Sequence, residues 1–457
     1  MKRNATITVD CSRPSGHTIN PYLFGHFVED IRDHMEAMLA FPLKDMDFES
    51  EAESRRAVSG SWYAYTNGKN TEYALEAPAP RHSGRAQRIR LSSDDEAYAG
   101  IAQKAALKGP MTYTVKLVAR ASVEIRYLLI EAVDRRKEES LGSVRIDLVS
   151  HNWQDYEAKL ILPRECADAE IRVYVPADHP RWIDHVSTGM LWLDHVSLLP
   201  DDSIALVKRE VVDMTRELNA GMMRLAGNYI SAYHWEHGVG PALERPVMYN
   251  EAWGGWTSKY FGTDEFIRFC RELRVEPLIC VNDGSGTPEE AAGWVEYCNG
   301  SVDTPMGALR AANGHPEPYN VRYWEIGNEV WGQWQVGTCS ADRFAERCVA
   351  FARAMKETDP SLVLLACGHT DQKWNEAVLD IAGEHIDYLT LHLYHGLGRF
   401  GMNRETPAED RYKAMAAFSE WTREDIRETA ARIGSDPKHG HVKLAITEYN
   451  TMYYPNT

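Results

Sequence analysis

The stretch WEIGNEVWGQW (324–334) decides how the rest of the chain is interpreted, because a short apolar run ends in it at Asn328 and Glu329. A second stretch, LAITEYN (444–450), places Glu448 after a similar run. Short, continuous apolar runs are typical of strands buried on both faces. Each carboxylate is therefore predicted at the end of a buried strand. The two lie far apart in the chain, so only the fold can bring them together.

From about residue 205, apolar runs of this kind alternate with amphipathic stretches. Repeated strand–helix units predict a parallel sheet, and polar residues at the strand ends favour a (β/α)8 barrel, where catalytic groups gather at the carboxyl ends. A doubly wound open sheet is the alternative, but it calls for a glycine-rich phosphate loop, and GxGxxG is absent. The predicted strands are 17–30, 221–227, 276–283, 321–329, 362–369, 387–395 and 443–450, and the predicted helices include 202–220, 263–274, 287–299 and 340–358.

Residues 48–200 have a different pattern of apolar and polar residues, which predicts a separate domain. Short segments such as MTYTVKLVAR (111–120) and EIRVYV (170–175) alternate apolar and polar residues, which is typical of antiparallel strands with one buried face. We therefore expect an antiparallel β-sandwich inserted into an α/β barrel. The predicted domains are the first barrel strand with its flanks (1–47), the inserted sandwich (48–200) and barrel strands 2–7 (201–457).

The composition limits the classes of partner. The formal net charge of −17 argues against nucleic acid or an anionic membrane as the main partner, because both require a basic surface. The first ten residues contain no apolar stretch of a secretory signal, and the scattered cysteines include no CxxC pair. We expect a cytoplasmic protein that binds a neutral substrate, although an acidic surface alone would fit the charge equally well.

Two carboxylates at strand ends that the fold brings together are the minimum equipment for retaining glycoside hydrolysis, in which one attacks the anomeric carbon and the other serves as acid and then base. Glu325 shares side-chain parity with Glu329 but lies deeper, where a buried ion pair is the better interpretation. His392 and His395 lack a third ligand for zinc, so no metal site is expected. Four tryptophans in these motifs fit a pocket wall and core packing about equally: Trp253, Trp256, Trp331 and Trp334.

At these motifs the chain resembles glycoside hydrolase family 51, the retaining α-L-arabinofuranosidases built on a (β/α)8 barrel. The inserted domain is similar, more weakly, to a family 4 carbohydrate-binding module through WLDHVSL (192–198). The motifs that carry the main resemblance are NPYLFGHFVED (20–30), RLAGNYISAYHWEHGVGP (224–241), AWGGW (252–256), FGTDEFIRFCRELRVEPLICVN (261–282), WEIGNE (324–329), LHLYH (391–395) and ITEYN (446–450).

The resemblance implies an exo-acting hydrolase of terminal α-L-arabinofuranosyl residues that needs no cofactor. It implies Glu329 as acid/base and Glu448 as nucleophile. The substrate-binding residues that it implies are Glu29, Arg224, Asn228, Asn328, His392 and Tyr394. An oligosaccharide substrate and a homo-oligomer, hexameric in the family, are further expectations. A β-xylosidase or endoglucanase of the same clan, or a non-catalytic carbohydrate-binding fragment, remains open.

The chain departs from the family pattern in two places. It has Leu-Ala-Gly-Asn (225–228) where the family has Pro-Gly-Gly-Asn, one residue shorter from the arginine. The sequence also stops at Thr457, soon after Glu448. The resemblance implies an eighth strand, a C-terminal sandwich and a substrate-binding glutamine beyond that point. We therefore expect a barrel that is incomplete at its C-terminal end, from a truncated product.

Overall fold

The computed structural model describes residues 8, 10–12, 16, 18–52, 57–77, 84–91, 98–148, 151–177, 189–396 and 401–452. Within the described part of the predicted strand 17–30, the strand itself is short, and His17 lies outside the described residues. Strand β1 (Gly25–Val28) leads to helix α1 (His34–Met38). Residues 39–48 then lead to the segment that forms the antiparallel sheets.

The described part of residues 48–200 forms two five-stranded antiparallel sheets. One has the order β2-β5-β10-β7-β8 and the other β3-β4-β11-β6-β9. Along β6, Val115, Leu117 and Ala119 are buried, whereas Lys116 is exposed, as the period-two pattern predicts. The strands are β2 (Tyr63–Thr66), β3 (Glu72–Glu76), β4 (Ala86–Arg90), β5 (Ala99–Leu107), β6 (Met111–Ala121), β7 (Tyr127–Asp134), β8 (Glu139–Asp147), β9 (Gln154–Leu162), β10 (Cys166–Val175) and β11 (Met190–Pro200).

The remaining chain alternates strands and helices. Several helices begin at the side chains that favour this position: Thr287, Thr304 and Ser340 each accept a hydrogen bond from a backbone N–H of the first turn. The elements are α2 (Arg209–Glu217), β12 (Met222–Leu225), β13 (Met248–Tyr249), β14 (Trp256–Thr257), α3 (Thr263–Leu273), β15 (Glu276–Val281), α4 (Pro288–Asn299), α5 (Pro305–Ala312), β16 (Tyr323–Ile326), α6 (Ala341–Thr358), β17 (Val363–Ala366), α7 (Gln372–Ala382), β18 (Tyr388–Gly396), α8 (Ala408–Ala416), α9 (Phe418–Ser435) and β19 (Lys443–Met452).

Seven parallel strands form a nearly closed sheet with the order β1-β12-β15-β16-β17-β18-β19. Every neighbouring pair is parallel, which confirms the predicted α/β barrel type. Among the residues that the structure describes, β1 and β19 are the two end strands. None of the described helices is long and apolar enough to cross a membrane.

One predicted helix is wrong in its first part. The periodicity predicts a helix over 202–220, but helix α2 covers only Arg209–Glu217. Ala205 and Leu206 adopt positive φ angles of 53° and 64°, which a right-handed helix does not allow. Leu206 instead accepts a hydrogen bond from the Ala40 backbone N–H at 2.7 Å. The tertiary contact with residues 39–48 therefore overrides the local pattern.

Candidate active site

Arg224 on β12 is the central hydrogen-bond donor of the site at the carboxyl ends of the strands. It is almost completely buried, and its planar guanidinium donates in three directions. Nε reaches Glu325 Oε2 at 2.6 Å, Nη1 reaches Glu448 Oε1 at 2.6 Å, and Nη2 reaches Asn328 Oδ1 at 2.7 Å. Glu325 is thus a partner in a buried ion pair, as its deeper position predicted. Arg224 orients the nucleophile candidate through a contact that fixes one carboxylate oxygen.

Glu448 is held in its ionised form by its neighbours. Tyr394 donates a hydrogen bond from its hydroxyl to Glu448 Oε2 at 2.7 Å, and His392 Nδ1 lies 3.7 Å from the same oxygen. Burial raises the pKa of Glu448, but the positive charges of His392 and Arg224 and the hydrogen bonds outweigh burial and lower that pKa below its ordinary value. A buried carboxylate that stays charged suits nucleophilic attack.

Glu329 faces the same space from a strained turn after β16. Its φ is 50°, in the left-handed region that few non-glycine residues adopt. Gly327 makes the turn possible, because a Cβ at this position would lie 2.8 Å from Phe344 and 3.1 Å from Asp283. Glu329 Oε1 lies 2.9 Å from His392 Nδ1, and Oε2 accepts a hydrogen bond from Trp334 Nε1 at 3.3 Å.

The two catalytic candidates lie close together. One carboxylate oxygen of Glu329, one of Glu448 and one ring nitrogen of His392 all lie within 4.8 Å of one another. Burial lowers the pKa of His392, but the charge of Glu448 and the hydrogen bond with Glu329 raise it above its ordinary value overall. This separation would also suit a metal ion. The positive charge that a metal would supply comes here from Arg224 and His392, and the absence of a metal site stays a prediction.

Glu29 forms the opposite wall of the site. Its Oε1 accepts hydrogen bonds from the Asn228 backbone N–H at 2.6 Å and from Trp253 Nε1 at 2.7 Å. Burial, reinforced by the charge of Glu448, raises the pKa of Glu29 to about 7, although both hydrogen bonds lower it. Gly227, at φ 105°, allows this approach, since a Cβ there would lie 2.1 Å from Glu29 Cδ. In the shortened turn, Gly227 therefore leaves room for Glu29, and the backbone of Asn228 binds it.

The side chains of Asn228 and Asn328 complete the cluster. Asn328 Nδ2 donates to Asn228 Oδ1 at 3.1 Å. All eight predicted site residues are thus joined to one another by direct contacts: Glu29, Arg224, Asn228, Asn328, Glu329, His392, Tyr394 and Glu448. Their individual roles stay predictions.

The strand ends differ from the prediction in one respect. The sequence places Glu448 and His392 where their strands run out, but β18 and β19 remain paired to Gly396 and Met452. A register shift between Leu391 and His392 sets His392 opposite Glu448. A β-bulge of this kind changes the direction of side chains without ending a strand. The site therefore lies beside two strands that continue to pair.

Sequence reasoning missed the hairpin that supports Glu29. Trp253 lies between β13 and β14, and its backbone N–H donates to Asn250 Oδ1 at 3.1 Å. Asn250 Nδ2 in turn donates to the carbonyl of Asp30 at 2.7 Å, and the Asp30 carboxylate forms a buried ion pair with Lys259 at 2.9 Å. The adjacency of Glu29 and Asp30 in the sequence was the available signal, but their partners lie far along the chain.

The barrel matches a known family over part of its length. Residues 214–413 match the alpha-L-arabinofuranosidase 1 domain. This range includes Arg224, Asn228, Asn328, Glu329 and the two residues on β18. Glu29 and Glu448 lie outside it.

Two curated relatives carry the same activity in their names. A probable alpha-L-arabinofuranosidase C from Aspergillus niger is 46% identical over 162 residues, 35% of this chain and 32% of that protein. An intracellular exo-alpha-(1->5)-L-arabinofuranosidase from Acetivibrio thermocellus is 31% identical over 256 residues, 54% of this chain and 50% of that protein. The chain therefore spans 32% and 50% of the length of these two relatives.

Solved structures show a similar fold. The alpha-L-arabinofuranosidase from Thermotoga maritima, in complex with arabinose, is 36% identical with a TM-score of 0.51, covering 55% of this chain and 50% of that chain. An arabinose-bound GH51 α-L-arabinofuranosidase is 18% identical with a TM-score of 0.71, covering 97% of this chain and 78% of that chain. The second likeness concerns the fold alone, and it extends over both the barrel and the inserted sheets.

Proposed function

We propose that the protein is a retaining exo-glycosidase that releases terminal α-L-arabinofuranosyl residues from arabinan- or arabinoxylan-derived oligosaccharides. The observation that carries the proposal is the short distance between Glu329 and Glu448. A carboxylate oxygen of one lies within 4.8 Å of a carboxylate oxygen of the other. Retaining glycosidases place their carboxyl groups about 5–5.5 Å apart, whereas inverting ones leave room for a water. The names of the relatives support the choice of sugar.

In the first step, the ionised Glu448 attacks the anomeric carbon as Glu329 gives its proton to the leaving glycosidic oxygen. The bond from the anomeric carbon to that oxygen breaks, and a bond to a Glu448 oxygen forms. In the second step, Glu329 takes a proton from water, which displaces Glu448 from the same carbon. Two displacements return the original anomeric configuration, and both carboxyl groups end as they began.

The surrounding residues hold the sugar and the charge. Arg224 and Tyr394 each bind one oxygen of Glu448, so the nucleophile presents a fixed carboxylate. Glu29, Asn228 and Asn328 offer acceptors and donors to sugar hydroxyls, and an Asn328 contact with the 2-hydroxyl would strengthen in the transition state. Every step uses side chains of the protein, and we propose that no cofactor takes part.

The proposal also includes the class of partner, the cellular location and the role of the two sheets within 48–200. A net charge of −17 supports an oligosaccharide partner over nucleic acid or a membrane. The relative from Acetivibrio thermocellus is named intracellular, which supports the cytoplasmic prediction. We infer that the two sheets within 48–200 form a sandwich that acts as a carbohydrate-binding module. The domain boundaries and the homo-oligomer stay predictions.

The test is hydrolysis of 4-nitrophenyl α-L-arabinofuranoside, compared with the matching β-xyloside and with a cellulose substrate. We expect turnover of the arabinofuranoside with a product of retained configuration by NMR, and loss of at least about a thousandfold in Glu448→Gln. Glu251→Ala, an exposed carboxylate on the nearby hairpin, should behave as the unaltered chain. An inverted product, or preference for the xyloside, would contradict the proposal.

A further inference from the structure

The hairpin formed by β13 and β14 extends from the active site into a separate groove. At its tip, Trp253 donates a hydrogen bond to Glu29. At its base, Tyr249 pairs with Trp256 across the two strands. Three residues of chain reach at most about 11 Å, so Trp256 lies within a short distance of a sugar bound against Glu29.

Trp256 lines a cavity of about 1780 Å³ between the barrel and the inserted sheets. One wall is formed by residues 32–51, which follow β1. The other is the rim of the antiparallel sheets, with residues 106–108, Asp134, 136–137 and 164–168. The cavity is open to solvent and its volume exceeds that of one sugar unit. The hairpin that carries Trp256 on this cavity also carries Trp253, which contacts Glu29.

The exposure of Trp256 is unusual for so large an aromatic side chain. Its exposed fraction is 73%, and that of Tyr249 is 54%. Their ring centroids lie 5.7 Å apart at an interplanar angle of 73°, so the edge of one ring supports the other. A contiguous exposed aromatic patch indicates a binding surface, and an indole ring suits the apolar face of a sugar.

The charge of the groove favours a neutral ligand. Its lining contains nearly as many basic as acidic side chains, and many of these neutralise one another. Lys108 pairs with Glu210, and Arg164 pairs with Asp134 at 2.9 Å. A polyanion or polycation would have to displace these pairs, whereas hydroxyl groups can bind to them as they stand.

We propose that Trp256 is the platform for the glycan chain that carries the terminal sugar, and that this chain continues into the groove between barrel and sheets. The inference rests on the proposed function and adds to it the residue and the groove that bind the aglycone. The protein would prefer arabinofuranosyl groups attached to an oligosaccharide over small aglycones. Trp256 thus acts on affinity for the aglycone and has no part in the chemistry.

The experiment compares Trp256→Ala and Trp256→Phe with the unaltered chain on two substrates, 4-nitrophenyl α-L-arabinofuranoside and an arabinofuranosyl-substituted oligosaccharide. We expect Trp256→Ala to raise KM for the oligosaccharide about five- to tenfold more than KM for the aryl glycoside. Trp256→Phe should restore most of the difference. Tyr412→Ala, which removes an aromatic side chain that is 72% exposed on α8, should leave both KM values unaltered.

The outcomes separate this inference from the proposed function. If the aryl glycoside is hydrolysed but Trp256→Ala affects both substrates equally, the platform is wrong and the function stands. If neither substrate is hydrolysed, calorimetric titration with the same oligosaccharide decides: equal affinity of Trp256→Ala and the unaltered chain overturns the platform. A lower sedimentation coefficient of Trp256→Ala also overturns it, because Trp256 would then lie in an interface between copies.

Discussion

At the scale of single residues, the two carboxylates differ in environment more than in position. Glu448 receives two hydrogen bonds and the nearby charges of Arg224 and His392. Glu329 contacts His392 and the exposed Trp334. A carboxylate between Arg224 and His392 suits attack, and one that contacts an exposed side chain suits proton exchange with a leaving group and water.

This difference predicts a dependence on the leaving group. Glu329→Ala should lower kcat/KM by about a hundredfold or more on an arabinan oligosaccharide, because its alkoxide leaving group needs a proton. The loss on 4-nitrophenyl arabinofuranoside should be at least tenfold smaller, since 4-nitrophenolate leaves unprotonated. Kinetics on both substrates provide the measurement. An equal loss on both would count against the acid role.

Glu29 predicts a pH dependence of stability. Its pKa is raised from 4.5 to about 7 by burial and by Glu448, so the folded chain binds this proton more tightly than the unfolded chain. The free energy of unfolding should therefore fall as pH rises from about 4.5 through 7, by at most about 3 kcal/mol from this group. In Glu29→Gln, the amide oxygen can still accept from Asn228 and Trp253.

The measurement is urea unfolding of Glu29→Gln and the unaltered chain at pH 5 and pH 8. The unaltered chain should lose more stability between the two pH values, and the variant should remove that part of the difference. Glu251→Ala, with an exposed carboxylate, serves as the control. If Glu29→Gln and the unaltered chain lose the same stability between pH 5 and pH 8, Glu29 ionises in the folded chain with no loss of stability.

At the scale of elements, the β13–β14 hairpin fixes one wall of the site from outside the parallel sheet. Asn250 joins its tip to the carbonyl of Asp30, and Lys259 and Thr257 bind the Asp30 carboxylate. These contacts are buried, so losing one leaves an unpaired polar group at a cost of about 1–3 kcal/mol. The hairpin thereby positions both Glu29 and Trp253.

Asn250→Ala should release Trp253 from this attachment. We expect KM for 4-nitrophenyl arabinofuranoside to rise about tenfold, with a smaller change in kcat, because the sugar-binding wall is displaced and the two carboxylates are not. Steady-state kinetics give the comparison, and Glu251→Ala on the same hairpin is the matched control. If the variant only loses stability and keeps its KM, Asn250 has a structural role alone.

The strands and their polar ends could be predicted from the sequence, whereas the contacts of the hairpin could not. Apolar runs locate β15 and β16 to within a few residues, because burial on both faces leaves a continuous signal. The register shift beside His392 and the positive φ of Glu329 leave no such signal, since an apolar run does not record them. The eight candidate site residues were predicted from motifs, whereas their hydrogen bonds could be seen only in the fold.

At the scale of the whole molecule, residues 39–48 hold the barrel and the inserted sheets together. Asp47 Oδ1 lies 2.6 Å from His195 Nδ1 on β11, and its second oxygen accepts a hydrogen bond from Tyr260 after the hairpin. The Val196 backbone N–H donates to the Met46 carbonyl at 2.9 Å. The sequence predicted two units but contained no sign of this junction, because its three parts are far apart in the chain.

Asp47→Ala should therefore weaken the molecule as a whole. Removing the carboxylate leaves His195 and Tyr260, both buried, without this partner, so we expect the free energy of unfolding to fall by about 1–3 kcal/mol. Urea unfolding measures the change, and Asp33→Ala, an exposed carboxylate that lines the same groove, is the control. Because the platform residue Trp256 lies on this groove, the variant should also raise KM for the oligosaccharide. Equal stabilities of the two variants would mean that Asp47 contributes no more than a surface charge.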